Sequence, residues 1–438
     1  MKNPSSGSED SLTVAPIASA RGAVRLPGSK SISNRALLVA AMADGATLLK
    51  GLLKADDTDR MLESLVKLGV RIEQKTADEV LVHGCGFRIP AREADLFIGN
   101  AGTAARTLTA LLAFAGGSYR LDGIARMRER PIGDLLAALR SLGARITCEM
   151  SEGFLPLRFE PASAASDTVS VRGSVSSQYL TALLLTAPHI APAGGLAIRI
   201  IGELISRPYV AMTVAMMRDF GIRVEERQNE FRVYPGVYRA KDSYFVEGDA
   251  SGASYFLALG ALCEGPVRVE GVGAGSLQGD VAFADALERM GARVVRGRDF
   301  IEVSGPADHV LRGIELDCTE IPDAAMTLVP MALKTAGPVH LRGIGSWRVK
   351  ETDRIEAMST EMRRFGASVQ SGEDWIRVCM PQGKSPVEAR VQTYDDHRMA
   401  MSLSLAACAG VPVHVTDPGC TAKTFPTYFE ELHKLCRR

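Results

Sequence analysis

The stretch ADALERMGARVV (284–295) decides how the fold is read. Ala284, Leu287 and Met290 fall at helical spacing, Gly291 follows, and Ala292 and Val294 then alternate with charged or exposed positions. A glycine just past an amphipathic helix is the usual left-handed cap, and the switch to period two announces a strand. The pattern returns as MLESLVKLGVRI (61–72), LLAALRSLGARI (135–146), VAMMRDFGIRV (214–224) and AMSTEMRRFGASV (357–369). The capping glycines 69, 143, 221, 291 and 366 stand 74, 78, 70 and 75 residues apart. FIEVSG (300–305) and WIRVCM (375–380) continue the alternation after the cap and predict hairpins.

Two further series run in step with these helices. A strand closing on Gly51, Gly123, Gly202, Gly271, Gly343 or, at the sixth place, Asp417 precedes each surface helix. Ala- and Leu-rich helices open with polar residues: SKSISNRALLVAA (29–41), NAGTAARTLTALLA (100–113), SSQYLTALLLTA (176–187), DASGASYFLALGAL (249–262), PDAAMTLVPMAL (322–333) and DDHRMAMSLSLAA (395–407). They are apolar on nearly every side, so they belong in a core. The repeat is helix, strand, helix, hairpin. Six copies of about 73 residues fill the 438-residue chain. The sixth surface helix, YFEELHKL (428–435), runs to the chain end with no hairpin, and LTVAPIASA (12–20) is placed to supply a missing strand. One core of this length is too large, so two lobes of three repeats are expected. Lobe I takes residues 1–27 and 248–438, with 1–11 as a disordered tail, and lobe II takes 28–247.

Composition narrows the function. Lys+Arg and Asp+Glu both number 51, and aromatics are 6%, which argues against nucleic acid and against an anionic membrane as partner. The eight cysteines form no C-x-x-C pair and the seven histidines no metal spacing, which suits reduced thiols in the cytoplasm without a zinc site. The first residues lack the apolar core of a signal peptide, and no apolar run reaches spanning length. PGSKS (27–31) and GVGAGS (271–276) are near misses to nucleotide loops, and no G-x-S-x-G elbow is present.

The loops between repeats are nevertheless basic: Lys30, Arg35, Arg106, Arg126, Arg128, Arg130, Arg207, Arg348, Lys350, Arg354, Arg398 and Lys423. Many stand where a helix begins. Helix N-termini already carry partial positive charge, so the arrangement calls for phosphate or carboxylate ligands.

The segments LPGSKSISNRALLVAA (26–41), GNAGTAARTL (99–108), DGIARMRERPIGDLL (122–136), GSVSSQYLTALLLTAP (173–188), IPDAAMTLV (321–329), WRVKETDRI (347–355), YDDHRMAMSL (394–403) and KTFPTYF (423–429) resemble the 5-enolpyruvylshikimate-3-phosphate synthases across nearly the whole chain. The resemblance implies an α/β fold: a two-lobed inside-out α/β barrel of the enolpyruvate transferase type, each lobe three βαβαββ repeats. It implies an active site in the cleft between lobes that close on ligand. The implied reaction moves the enolpyruvyl group of phosphoenolpyruvate to the 5-hydroxyl of shikimate 3-phosphate through a tetrahedral intermediate, with phosphate as leaving group. No metal or organic cofactor is implied, and the expected state is a cytoplasmic monomer.

By the same resemblance, Lys30 touches both substrates. Ser31, Arg35, Ser176, Ser177, Gln178, Ser206, Asp323 and Lys350 hold shikimate 3-phosphate. Asn100, Gly102, Arg130, Gln178, Arg354, Arg398 and Lys423 hold phosphoenolpyruvate, with Gly102 letting backbone N–H groups approach the ligand. Asp323 receives or orients the 5-hydroxyl proton, Glu351 donates a proton, and Lys30 and Lys423 share in catalysis. Asp395 and Asp396 read as caps and arginine partners, and His397 as structural first. Ser346 stands where many relatives have Asn, and Thr107 where many have Pro. Relatives are targets of glyphosate, a phosphoenolpyruvate mimic; Gly102 leaves it room, and Thr107 leaves sensitivity undecided. Two other functions would leave different marks. A UDP-N-acetylglucosamine enolpyruvyl transferase normally carries a loop cysteine that IARMRERPIG (124–133) lacks, and a non-catalytic phosphate-sugar binder would be expected to lose Lys30, Asp323, Glu351 or Lys423.

Overall fold

A computed structural model describes residues 11–437. The chain divides into two units. Lobe I holds the residues up to Leu26 and from Asp249 onward, and lobe II holds Pro27–Gly248. The first crossing therefore falls one residue earlier than the sequence placed it and the second one residue later. Gly28 and Gly248 bridge each other, which keeps both within lobe II. Each lobe has its own hydrophobic core.

The repeat is visible in the sheets. In lobe II, Glu93–Phe97 runs parallel to Ser118–Asp122, which pairs antiparallel with Leu157–Glu160 and so to Arg145–Cys148 at the edge. Thr168–Arg172, Leu196–Ile201, Glu230–Val233 and Val224–Arg227 form a second sheet in the same order. In lobe I, Arg312–Asp317, Ala336–Arg342, Ile376–Cys379 and Ser368–Ser371 repeat it again. Each buried helix is thus led by a parallel strand that the hydrophobic pattern did not reveal. These strands are edge strands with one partner, and sequences such as EADLF need little alternation there.

At the crossings the lobes exchange leading strands. Gly22–Arg25 directly precedes the helix Lys30–Met42 in the chain, yet it pairs with Val267–Glu270 of lobe I. Ser243–Phe245 takes its place in lobe II, parallel to Ala46–Lys50. The sixth sheet has three strands, with Ser11–Val14 supplying the antiparallel member beside Val413–Thr416. Ser11 is therefore ordered strand and not tail, while the rest of the expected tail lies outside the described residues. The last helix, Tyr428–Leu435, does not end the fold: Cys436–Arg437 pairs with Ser19–Ala20.

The Ala/Leu helices are the cores. Every residue of Gly102–Leu112 and of Ala250–Leu262 is buried. Two expected helices are broken. The segment from Pro322 becomes a 3-10 turn, Ala324–Thr327, and a single α turn, Leu328–Met331, because Pro330 offers no N–H to a longer helix. The segment from Asp395 gives His397–Ser404 and then a 3-10 turn. The five capping glycines all have positive φ, between 85° and 104°. None of the eight cysteines is in a disulfide. Among the described residues no helix is long and apolar enough to cross a membrane.

Candidate functional site

The openings of the buried helices differ between the lobes. In lobe II the caps are uncharged. Ser29 accepts from the Ile32 N–H, Ser176 accepts from the Gln178 N–H, and Ala101 offers no side-chain acceptor. In lobe I all three caps are aspartates: Asp249, Asp323 and Asp396. A carboxylate at a helix start neutralises its partial positive charge, whereas an uncharged cap leaves that charge for a ligand.

Lobe II adds buried cations to those openings. The Arg35 side chain is 2% exposed. Its Nε donates to Thr213 Oγ1 at 2.9 Å, and its Nη1 and Nη2 donate to the Ser31 carbonyl at 2.8 Å and to Thr181 Oγ1 at 3.2 Å. A longer bond reaches the Tyr209 carbonyl at 3.5 Å. Every one of these acceptors is neutral. Burial accordingly pushes the guanidinium down to about 10, against a small opposing contribution from Tyr209. Lys30, at the start of the same helix, lies 3.5 Å from the buried Asp57 carboxylate. One turn before Thr181, Gln178 reaches Thr103 Oγ1 at 3.5 Å. Thr103 adjoins Gly102 and the Asn100 loop, where Arg130 Nη1 donates to both the carbonyl and Oδ1 of Asn100 at 3.1 Å. One chain of contacts therefore joins Ser31, Arg35, Gln178, Gly102, Asn100 and Arg130.

Gly102 also lies against Arg130. Its φ is not left-handed, but a Cβ there would stand 2.6 Å from Arg130 Nη2. The glycine makes room for the guanidinium. Ser206, buried at the start of Arg207–Asp219, has φ 54° and ψ 41°, a costly backbone for a residue with a Cβ.

Lobe I builds a network around one arginine. Arg354 is 1% exposed and opens the helix Arg354–Arg364. Its Nε donates to Asp396 Oδ2 at 2.8 Å, its Nη1 to Asp323 Oδ1 at 3.1 Å, and its Nη2 to Glu351 Oε2 at 2.9 Å. Burial alone would lower its pKa, but Asp396, Glu351 and Asp323 together raise it above the ordinary range. Arg398 Nη2 donates to Asp323 Oδ2 at 3.2 Å, Arg398 Nη1 to the Tyr255 hydroxyl at 3.3 Å, and Lys350 Nζ lies 3.6 Å from Asp323 Oδ1. Asp323 makes no cap bond with its own turn, so its carboxylate faces three cations. Asp396 instead caps its helix through the Arg398 N–H. Glu351 is not the surface acid an isolated reading would make it, being 6% exposed. Lys423 is buried, and its charge opposes the upward push that burial gives Asp395. His397 is wholly buried beside Asp396.

Several basic-loop residues fall outside both groups. Arg128 makes two bonds to Asp122, at 2.9 and 2.7 Å. Arg126 pairs with Glu129, Arg348 with Asp353, and exposed Arg207 reaches the Gln228 carbonyl. Sequence reasoning missed Asp57, Thr181, Thr213 and Tyr255. A threonine inside an apolar helix gives no local sign that it faces an arginine nearly 150 residues away.

The family described as EPSP synthase (3-phosphoshikimate 1-carboxyvinyltransferase) matches residues 14–432. The chain is 55% identical over 423 residues to the 3-phosphoshikimate 1-carboxyvinyltransferase of Ralstonia pickettii (strain 12J), covering 95% of this chain and 98% of that one. It is 54% identical over 427 residues to the protein of the same name from Cellvibrio japonicus (strain Ueda107), covering 97% and 99%. Among solved structures it resembles an EPSP synthase from Acinetobacter baumannii, with TM-score 0.80, 25% identity, and coverage of 97% and 98%. The enolpyruvyl transferase NikO from Streptomyces tendae shares the fold, with TM-score 0.76 at 20% identity and 97% coverage of both chains.

Proposed function

This chain belongs to the EPSP synthase family, and on that premise we propose the substrate and proton-transfer roles of its two buried ionic groups. The enzyme is a transferase of aromatic amino-acid biosynthesis. It moves the enolpyruvyl group of phosphoenolpyruvate to the 5-hydroxyl of shikimate 3-phosphate and releases phosphate. The alternative acceptor, UDP-N-acetylglucosamine, is not favoured, since the matching family and the relatives named above carry the shikimate name.

The observation that supports these roles is the contrast in lobe II between uncharged helix caps and buried cations. Arg35, Ser31, Ser176, Ser177, Gln178 and Ser206 bind the phosphate and hydroxyls of shikimate 3-phosphate, with Lys350 from lobe I. Asn100, Gly102, Arg130 and Gln178 bind phosphoenolpyruvate together with Arg354, Arg398 and Lys423, and Lys30 serves both substrates. Planar guanidinium groups suit the two-pronged grip that carboxylate and phosphate need. The chain acts as a monomer in the cytoplasm, with no nucleic acid or membrane partner.

The chemistry divides between two carboxylates on one guanidinium. Arg354 holds Asp323 and Glu351 through its two terminal nitrogens. When the carboxylate of phosphoenolpyruvate takes Arg354, Glu351 is freed to take up a proton from water and pass it to the methylene carbon. The 5-oxygen bonds to the neighbouring carbon and gives its proton to Asp323. In the second step the new methyl group returns a proton to the Glu351 carboxylate, the double bond re-forms, and the carbon–oxygen bond breaks with its electron pair leaving on phosphate. The direct test mixes the purified chain with both substrates and follows phosphate release and the vinyl ether product by NMR. Phosphate release without that product, or neither, rejects the reading.

Gly102→Ala gives a narrower test. The new methyl must push Arg130 from Asn100, because the guanidinium is buried and has little room to yield. The expected result is a KM for phosphoenolpyruvate raised about tenfold, with that for shikimate 3-phosphate changed less than about twofold. Equal changes in both would remove Arg130 from the phosphoenolpyruvate site.

A further inference from the structure

The loop between the strand Ala389–Val391 and the helix His397–Ser404 carries Asp396, which pairs with Arg354 and caps the turn bearing Arg398. Two successive residues of this loop, Tyr394 and Asp395, have φ of 56° and 52°. Left-handed backbone at two neighbouring non-glycine residues is strained, and it persists only where the surroundings hold it. Glu361 bonds to this loop at two points. This residue is wholly buried on the helix Arg354–Arg364. Its Oε1 accepts from the Tyr394 hydroxyl at 2.7 Å and its Oε2 from the Gln392 N–H at 3.2 Å. Arg364 Nε lies 3.0 Å from Oε2 and supplies the opposing charge. Thr416 fixes the other side of Gln392 by donating to its Oε1 at 3.1 Å.

Residues 354 and 361 are seven apart, two helical turns, and so share a face. The one helix therefore grips the loop twice, with Glu361 at Gln392 and at the first residue of the strained pair, and Arg354 at Asp396 just after it. Burial and then Glu361 push the Tyr394 phenol upward, which keeps it a donor.

We propose that Glu361 is a positioning residue: by holding Gln392 and Tyr394 it fixes the left-handed pair, and through it the placement of Asp396 against Arg354 and Arg398. The proposal rests on the reading above in which Arg354 and Arg398 bind phosphoenolpyruvate. Tyr394→Phe is the clean probe, since the residue is 39% exposed and the change removes only the hydroxyl. At saturating shikimate 3-phosphate, its KM for phosphoenolpyruvate rises about tenfold, the loss expected for one hydrogen bond to a charged acceptor. Its melting temperature falls by no more than about 5 °C, since Glu361 loses one donor but keeps the Gln392 N–H and Arg364. Glu361→Gln keeps one acceptor and falls between the native chain and Glu361→Ala. Should Glu361→Ala not fold, Tyr394→Phe decides alone. A native KM in Tyr394→Phe, or a change in melting temperature without one in KM, overturns the proposal. A native chain that makes no enolpyruvyl product overturns the functional reading and this proposal with it.

Discussion

Asp323→Asn should lower kcat by about 10³-fold, within the range that positioned acid–base groups contribute, and it should leave the chain folded. The substitution keeps the size of the side chain and one carbonyl oxygen. It removes the ability to take a proton. Of the three aspartates that open the buried helices of lobe I, Asp323 alone makes no cap bond through its carboxylate. Its oxygens instead meet Arg354 at 3.1 Å, Arg398 at 3.2 Å and Lys350 at 3.6 Å. A group spared from capping and surrounded by donors is fixed in place without being used up structurally. The amide would turn an N–H₂ toward one of those cations, so some loss of binding accompanies the loss of turnover. Steady-state kinetics separate the two effects. A kcat within about tenfold of native would show that Asp323 orients the hydroxyl at most and that another group takes its proton.

The repeat was legible because its marks are properties of single residues. A glycine at 69, 143, 221, 291 or 366 reports a positive φ that other residues avoid, and all five adopt it. Strand exchange leaves no such mark. Gly22–Arg25 looks like the natural leader of the helix that follows it, and only the distant strand Val267–Glu270 claims it. The broken helix at Pro330 shows the opposite case, where a readable local residue was outvoted by apolar periodicity. The site follows the same division. Residue type and place marked twelve basic loop residues alike, and the resemblance singled out Lys30, Arg35, Arg130, Lys350, Arg354, Arg398 and Lys423 among them. What each cation meets is a tertiary fact: Arg128 finds Asp122 six residues away, while Arg35 finds only neutral oxygens. The contrast between Ser29, Ala101 and Ser176 on one side and Asp249, Asp323 and Asp396 on the other stood in the sequence. It gained meaning only once those residues proved to be caps.

Arg35→Met carries the second large effect, and its two consequences have opposite signs. A guanidinium whose folded pKa is held down to about 10, from 12.5, is disfavoured as a cation by the fold. The unfolded chain binds that proton more tightly. The cost of the charge is therefore fully present at neutral pH and is relieved only as pH rises past the folded value. Removing the charge lifts this cost, and the groups left behind are not stranded. Thr213 Oγ1 donates to the Tyr209 carbonyl at 2.8 Å, and Thr181 Oγ1 lies 3.3 Å from Thr213 Oγ1. Without ligand, Arg35→Met should melt no lower than the native chain. An anionic substrate changes the balance, because it supplies the missing countercharge. Losing one or two charge-assisted bonds should weaken shikimate 3-phosphate binding by about 10²-fold or more. The native chain should gain melting temperature on adding shikimate 3-phosphate, and the variant should gain little at the same concentration. A variant that melts well below native without ligand, yet gains as much from shikimate 3-phosphate, would make Arg35 a structural cation and move the phosphate elsewhere.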